Sequence, residues 1–142
     1  HNGIANRAAR NAQQLDPAVG ALMDDLKERG LFEDTLIYIS SEFGRSPTED
    51  GGGGRSHNAR GMSTVLAGGG IKGGIGYGST DELGGSAVEN KVHVKDLHAT
   101  VINQLGFDHE QLTFRNGGRD FRLTQPTRTL PQGGQVVQGV VA

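Results

Sequence analysis

Glycine, more than any other residue, limits what this chain can fold into. It accounts for 24 of the 142 residues and gathers in clusters at 51–54, 68–70, within 73–78 and at 84–85. Glycine loses the most backbone entropy on ordering, and clusters of it mark turns rather than the interiors of helices or strands. Apolar residues supply 34% of the chain and aromatics 5%, so the intervening segments can build only a lean core. The length is that of one domain. The fold is therefore rich in loops, or supported by something outside itself.

Charge excludes several partner classes. The formal net charge is −2, with Lys and Arg dispersed among the acids. No basic stripe suits nucleic acid, and no cationic amphipathic helix suits a membrane surface. No apolar run approaches the ~20 residues of a membrane-spanning helix. Cysteine is absent, which removes disulfides and thiolate chemistry and leaves cytoplasm and periplasm equally open. The sequence opens on His1 without a preceding methionine or signal peptide. The expectation is a fragment or processed product whose upstream partner completes the functional site.

Periodicity predicts a small set of elements. Asp16-Pro17 has the form of a helix N-cap and first turn, and Leu15, Val19, Leu22 and Leu26 follow at helical spacing up to Gly30. Residues 4–14, rich in Ala, Asn and Arg, either extend this helix or form a separate turn. The run Thr35-Leu36-Ile37-Tyr38-Ile39-Ser40 reads as a strand buried on both faces, as in a parallel sheet. Residues 46–61 read as a long loop, 62–67 as a second strand and 68–78 as glycine turns. A helix is expected over 95–105, stopped by Gly106. A hairpin follows, with arms at 112–115 and 120–123 around Asn116-Gly117-Gly118. Beyond Pro126 there is no firm period.

In open α/β sheets ligands bind just past the C-terminal ends of strands, and there the sequence places Ser41, Glu42, Phe43, Gly44 and Arg45. Glu42, with His57 from the following loop, offers carboxylate oxygen and imidazole nitrogen of the kind that zinc accepts. The alternative for Glu42 is an ion pair with Arg45 or a turn cap. Arg45 and Arg55 present guanidinium forks suited to the oxygens of a sulfate or phosphate; the alternative is a pair of solvated loop arginines. His93, His98 and His109 form no evident group. His98 lies beside an apolar helix face, where a structural role is the commoner one. The glycine runs lack the Lys-Ser/Thr of a phosphate loop, and no serine sits in a Gly-x-Ser-x-Gly elbow.

Six segments carry a resemblance when taken in order: 24–31 (DDLKERGL), 41–47 (SEFGRSP), 54–57 (GRSH), 66–74 (LAGGGIKGG), 96–100 (DLHAT) and 118–124 (GRDFRLT). Their order resembles a bacterial sulfatase-like family of unknown function placed in the alkaline phosphatase superfamily. The likeness covers nearly the whole chain up to Thr124. It implies an α/β fold, the C-terminal part of an alkaline-phosphatase/sulfatase-like sheet flanked by helices, with a C-terminal hairpin. Residues 1–124 would form that portion and 125–142 a tail or edge strand.

The same resemblance implies a metal-dependent hydrolase of sulfate or phosphate esters, with a divalent metal (zinc, calcium or magnesium) and a periplasmic or exported location. It matches Glu42 and His57 to metal ligands and His1 to a further one, and it puts the nucleophile in the missing N-terminal part of the domain. Three positions depart from the pattern: Ser56 and Asn58 stand where relatives commonly carry Asp and His, and Phe43 where the superfamily's strand-end pair has His. Those departures leave open a second class of function, a catalytically inactive binding or assembly module.

Overall fold

The computed structural model describes residues 4–142, and they form a mixed α/β arrangement of two helices and four two-stranded antiparallel sheets. Helix α1, Ile4–Glu28, runs straight through Asp16-Pro17 instead of starting there. The expectation of an N-cap at Asp16 is thus corrected. Residues 4–15 are dominated by Ala, Arg and Gln, which favour helix. A single proline costs the helix one backbone bond, and Pro17 lies on the exposed side. Gly30, at φ 70°, ends the helix. Its N–H donates to Lys27 O at 3.1 Å and that of Leu31 to Leu26 O at 2.8 Å, which is the paired bonding of a Schellman motif.

Strand β1, Leu36–Ile39, follows within a few residues. It pairs antiparallel with β4, Val65–Gly68, in the register Leu36↔Gly68 to Ile39↔Val65. The expected parallel strand buried on both faces is corrected on both counts, because the chain returns along β1 and leaves Tyr38 exposed. Between the two lies a second hairpin where a loop was expected. In it β2, Gly44–Asp50, pairs with β3, Gly54–Asn58, across a bulge between Arg45 and Glu49.

Three consecutive glycines then turn the chain out of β4, at φ 69°, 46° and 72° for Gly68, Gly69 and Gly70. A Cβ on Gly68 would meet Thr35 O at 2.2 Å, so both conformation and space require glycine here. A short pair follows, β5 (Ser79–Thr80) with β6 (Ala87–Glu89).

Helix α2, Val94–Gln104, opens with a capping box built by His93 and Asp96. His93 Nδ1 accepts the Lys95 N–H at 3.1 Å, while Asp96 Oδ2 accepts the His93 N–H at 2.8 Å. Gly106, at φ 81°, closes it as expected. The predicted hairpin forms as β7, Phe114–Asn116, and β8, Arg119–Phe121. Its turn residues Gly117 and Gly118 both have positive φ, as a two-residue type I′ connection demands. Phe114 and Phe121 stack across it at 5.6 Å.

Residues beyond Pro126 fold back onto α2. The Gln135 N–H donates to Asp96 Oδ1 at 2.8 Å and the Val137 N–H to Thr100 Oγ1 at 2.9 Å. A 3-10 turn over Gln138–Val140 follows, and Val141 bridges to Ile71. The buried apolar core is as lean as composition implied: Leu97, Ala99, Ile102 and Leu130. Many larger apolar side chains stay exposed, among them Leu15, Leu22, Leu83, Leu105 and Phe107.

Candidate functional site

The strongest concentration of chemistry lies where β1 ends and the β2–β3 hairpin begins. Ser41 Oγ donates to Phe43 O at 2.8 Å, turning the chain sharply through Glu42, which is exposed. Gly44 then passes so close to the segment after β3 that an added Cβ would sit 1.6 Å from Gly61 O. That approach needs glycine, and it carries the neighbours of Gly44 against β3.

The register makes Gly44 a partner of Asn58 and Arg45 a partner of His57. The Phe43 ring meets the His57 imidazole with centroids 4.1 Å apart and planes tilted by 38°. The Arg45 guanidinium carbon lies 5.5 Å from the centre of the Phe43 ring, within cation–π reach. Phe43 is thus the hub of the cluster, in contact with both His57 and Arg45.

Of the residues singled out in the sequence, Arg45 and His57 are brought together, and Glu42 is one residue from the ring that touches His57. Arg55 lies farther along the hairpin, opposite Glu49. It is partly buried, with Nη1 donating to Ser46 O at 3.4 Å. His1 lies outside the described residues. Among the described residues Glu42 forms no ion pair with Arg45; ion pairs seen there include Arg29–Asp25 and Arg115–Asp120. Among the same residues there is no group of three or more His, Cys, Asp or Glu arranged to hold a metal.

The two residues flanking His57 are spent on the fold. Ser56 Oγ donates to Asp50 Oδ2 at 3.0 Å across the hairpin. Asn58 is buried; its amide donates to Gly85 O at 2.9 Å and its carbonyl accepts the Arg60 N–H at 3.1 Å. This anchor was not foreseen, because nothing in the sequence links position 58 to a glycine 27 residues away. Asp81 braces the same loop. The Gly85 N–H at 2.7 Å holds its carboxyl below the usual value, with help from the Ser86, Leu83 and Gly84 N–H groups.

The remaining histidines are dispersed. His93 caps α2. Burial pushes the His98 imidazole down, and the nearby Lys95 charge adds to the effect. His109 Nδ1 lies 3.0 Å from Thr124 Oγ1, on an open groove of ≈ 740 Å³ past the end of α2. Of the two acids lining that groove, Asp108 and Glu110, Asp108 is taken up by the Glu110 N–H and the Gln111 side chain, and these bonds lower its pKa. With Asp108 committed, the β1 end, where His57, Phe43 and Arg45 meet, remains the better candidate.

A family model described as a protein of unknown function, DUF1501, matches residues 1–133. The chain belongs to the DUF1501 family. The match takes in both helices, all four strand pairs and the whole Phe43–His57 cluster, so the candidate site lies within the family region. No curated protein and no solved structure matches the chain.

Proposed function

We propose that this DUF1501 chain is the C-terminal part of a metal-dependent hydrolase of sulfate or phosphate esters, on an alkaline-phosphatase/sulfatase-like sheet. The observation that supports this most is the meeting of Phe43, Arg45 and His57 next to Glu42 at the end of β1, with His57 packed 4.1 Å from Phe43. One carboxylate and one imidazole make a donor set of the kind zinc takes, and calcium or magnesium would draw on more oxygen.

Glu42 and His57 would hold the ion. They are two ligands of a shell that needs more, and the upstream part of the domain, with His1, would supply the rest. A bound divalent ion would polarise the ester oxygen and lower the pKa of the nucleophile. Arg45 and Arg55 would bind the anionic group and offset charge as it develops. Arg55 is already steadied by Ser46, so it loses less freedom on binding. The nucleophile would come from the upstream part as well.

A second class of function has its own support: an inactive binding or assembly module. Ser56 braces the hairpin through Asp50 and Asn58 ties it to Gly85, where relatives are expected to carry Asp and His. Metal analysis by mass spectrometry on the full-length protein, with Glu42→Ala and His57→Ala, separates the two. Stoichiometric metal that both variants lose supports the hydrolase and justifies a sulfatase and phosphatase screen. Protein free of metal, with both variants unchanged, supports the module.

A further inference from the structure

The groove past the end of α2 shares no residue with the β1-end cluster, and its lining is chemically one-sided. It holds ≈ 740 Å³ and opens to solvent, within the size range of small-ligand sites. Phe107 and Val136 are its apolar side chains. The other side chains are polar, and among the described residues no Lys or Arg lines it. Phe107 is 55% exposed, so its ring is open to contact.

Acceptors dominate the polar part. Among the described residues the Glu110 carboxylate takes no hydrogen bond or ion pair. Thr124 Oγ1 has one proton and gives it to His109 O at 3.2 Å. The 3.0 Å contact of that oxygen with His109 Nδ1 therefore needs the imidazole proton on Nδ1, and neutral His109 keeps Nε2 as an acceptor. The Gln135 amide nitrogen donates to Gln132 O and Gly134 O, which leaves its carbonyl oxygen as the unspent group.

Such a lining fits a ligand rich in donors. An anion would meet the carboxylates of Asp108 and Glu110, and an apolar molecule would strand them out of water. Among the described residues no three His, Cys, Asp or Glu are arranged to hold a metal. Between an organic cation and a neutral polyol, Arg122 decides. Its Nη1 donates to Glu110 O at 3.1 Å, which sets a positive charge near the carboxylate and weakens the pull on a second one. A sugar combines hydroxyl donors with a C–H face, and the negative face of an aromatic ring suits that face. We infer that the groove is a saccharide-binding site. Phe107 carries the face of one neutral sugar ring, and Glu110 and His109 Nε2 accept from its hydroxyls. An open groove buries little of its ligand, so the affinity is on the order of millimolar.

Saturation-transfer NMR on the full-length protein tests this, with neutral disaccharides of glucose, galactose, mannose and N-acetylglucosamine, each up to tens of millimolar. At least one should receive saturation, most strongly on the ring protons of one face. Phe107→Ala and Glu110→Ala, both at exposed positions, should each weaken that sugar about tenfold, with the fold checked by circular dichroism. Glu42→Ala should leave sugar binding unchanged, which keeps this result separate from the metal question. Butylammonium should bind less tightly than the best sugar. The inference is overturned if none of these sugars receives saturation, if both groove variants leave binding intact, or if the groove prefers butylammonium.

Discussion

The Val137 N–H donates to the hydroxyl oxygen of Thr100 at 2.9 Å, joining residues 37 positions apart in the centre of the fold. Thr100 is 1% exposed, and its own hydroxyl proton goes to Asp96 O at 2.7 Å. The Asp96 carboxylate in turn holds both the His93 and the Gln135 N–H groups. One turn of α2 thus anchors the end of the chain through two side chains.

Thr100→Val therefore strips the half-buried Val137 N–H of its acceptor while nearly preserving volume. The expected loss is about 1–3 kcal/mol, read from denaturant unfolding. Thr100→Ser keeps the hydroxyl and should cost less. A costly Thr100→Ser beside a near-neutral Thr100→Val would mean that the methyl, not the hydrogen bond, matters.

Asn58 gives a sharper test of the site. Neighbouring strand residues point to opposite faces, so Asn58 faces Gly85 while His57 faces Phe43. Asn58→His would place an imidazole where relatives are expected to have one. Here it should instead break the Gly85 anchor and destabilise the protein by roughly 1–3 kcal/mol, with no gain in zinc affinity by titration calorimetry. Tighter zinc binding would show that position 58 reaches the metal after all.

Acid should weaken the fold in two steps. The His98 pKa is lowered from 6.5, first by burial and then by Lys95. The unfolded chain therefore takes up the proton first, and the stability tied to neutral His98 is complete above 6.5 and drains as pH falls through the lower folded value. Asp81 and Asp108 are lowered from 3.8 by backbone N–H bonds, so their contribution is present above 3.8 and disappears in stronger acid. Melting temperature against pH should show both declines, and His98→Gln should remove only the upper one. A profile unchanged by that substitution would assign the upper step to another group.

How far the sequence exposed this depended on whether the forces involved were local. Helix α2 was legible because its apolar spacing, Asp96 and Gly106 all lie within the helix or one turn of it. The β7–β8 turn was legible because Gly117 and Gly118 meet a local conformational demand. The N-cap form of Asp16-Pro17 misled, since the helix-forming residues before it outweigh one lost bond. The β2–β3 hairpin was hidden by Pro47 and by a bulge that interrupts the period-two pattern between Arg45 and Glu49. The setting of Glu42, Arg45 and His57 at a strand end could be read from order alone. Phe43 as their hub and Asn58 as an anchor could not, because both depend on partners set by tertiary approach.

That approach converges on Gly44, where the last prediction lies. A Cβ there would sit 1.6 Å from Gly61 O, a backbone atom that cannot swing aside as a side chain could. Gly44→Ala must therefore push β2 away from the segment after β3, at a cost of about 3 kcal/mol, the upper end of what overpacking typically costs. The shift would part Phe43 and Arg45 from His57, although none of the three is altered. The expected signature is loss of the His57 ring-current shift in NMR together with a lowered melting temperature, while the distant Phe114–Phe121 hairpin keeps its resonances. Preserved His57 shifts in Gly44→Ala would mean that the hairpin can reseat itself, and that the contact at Gly61 does not set the geometry of the site.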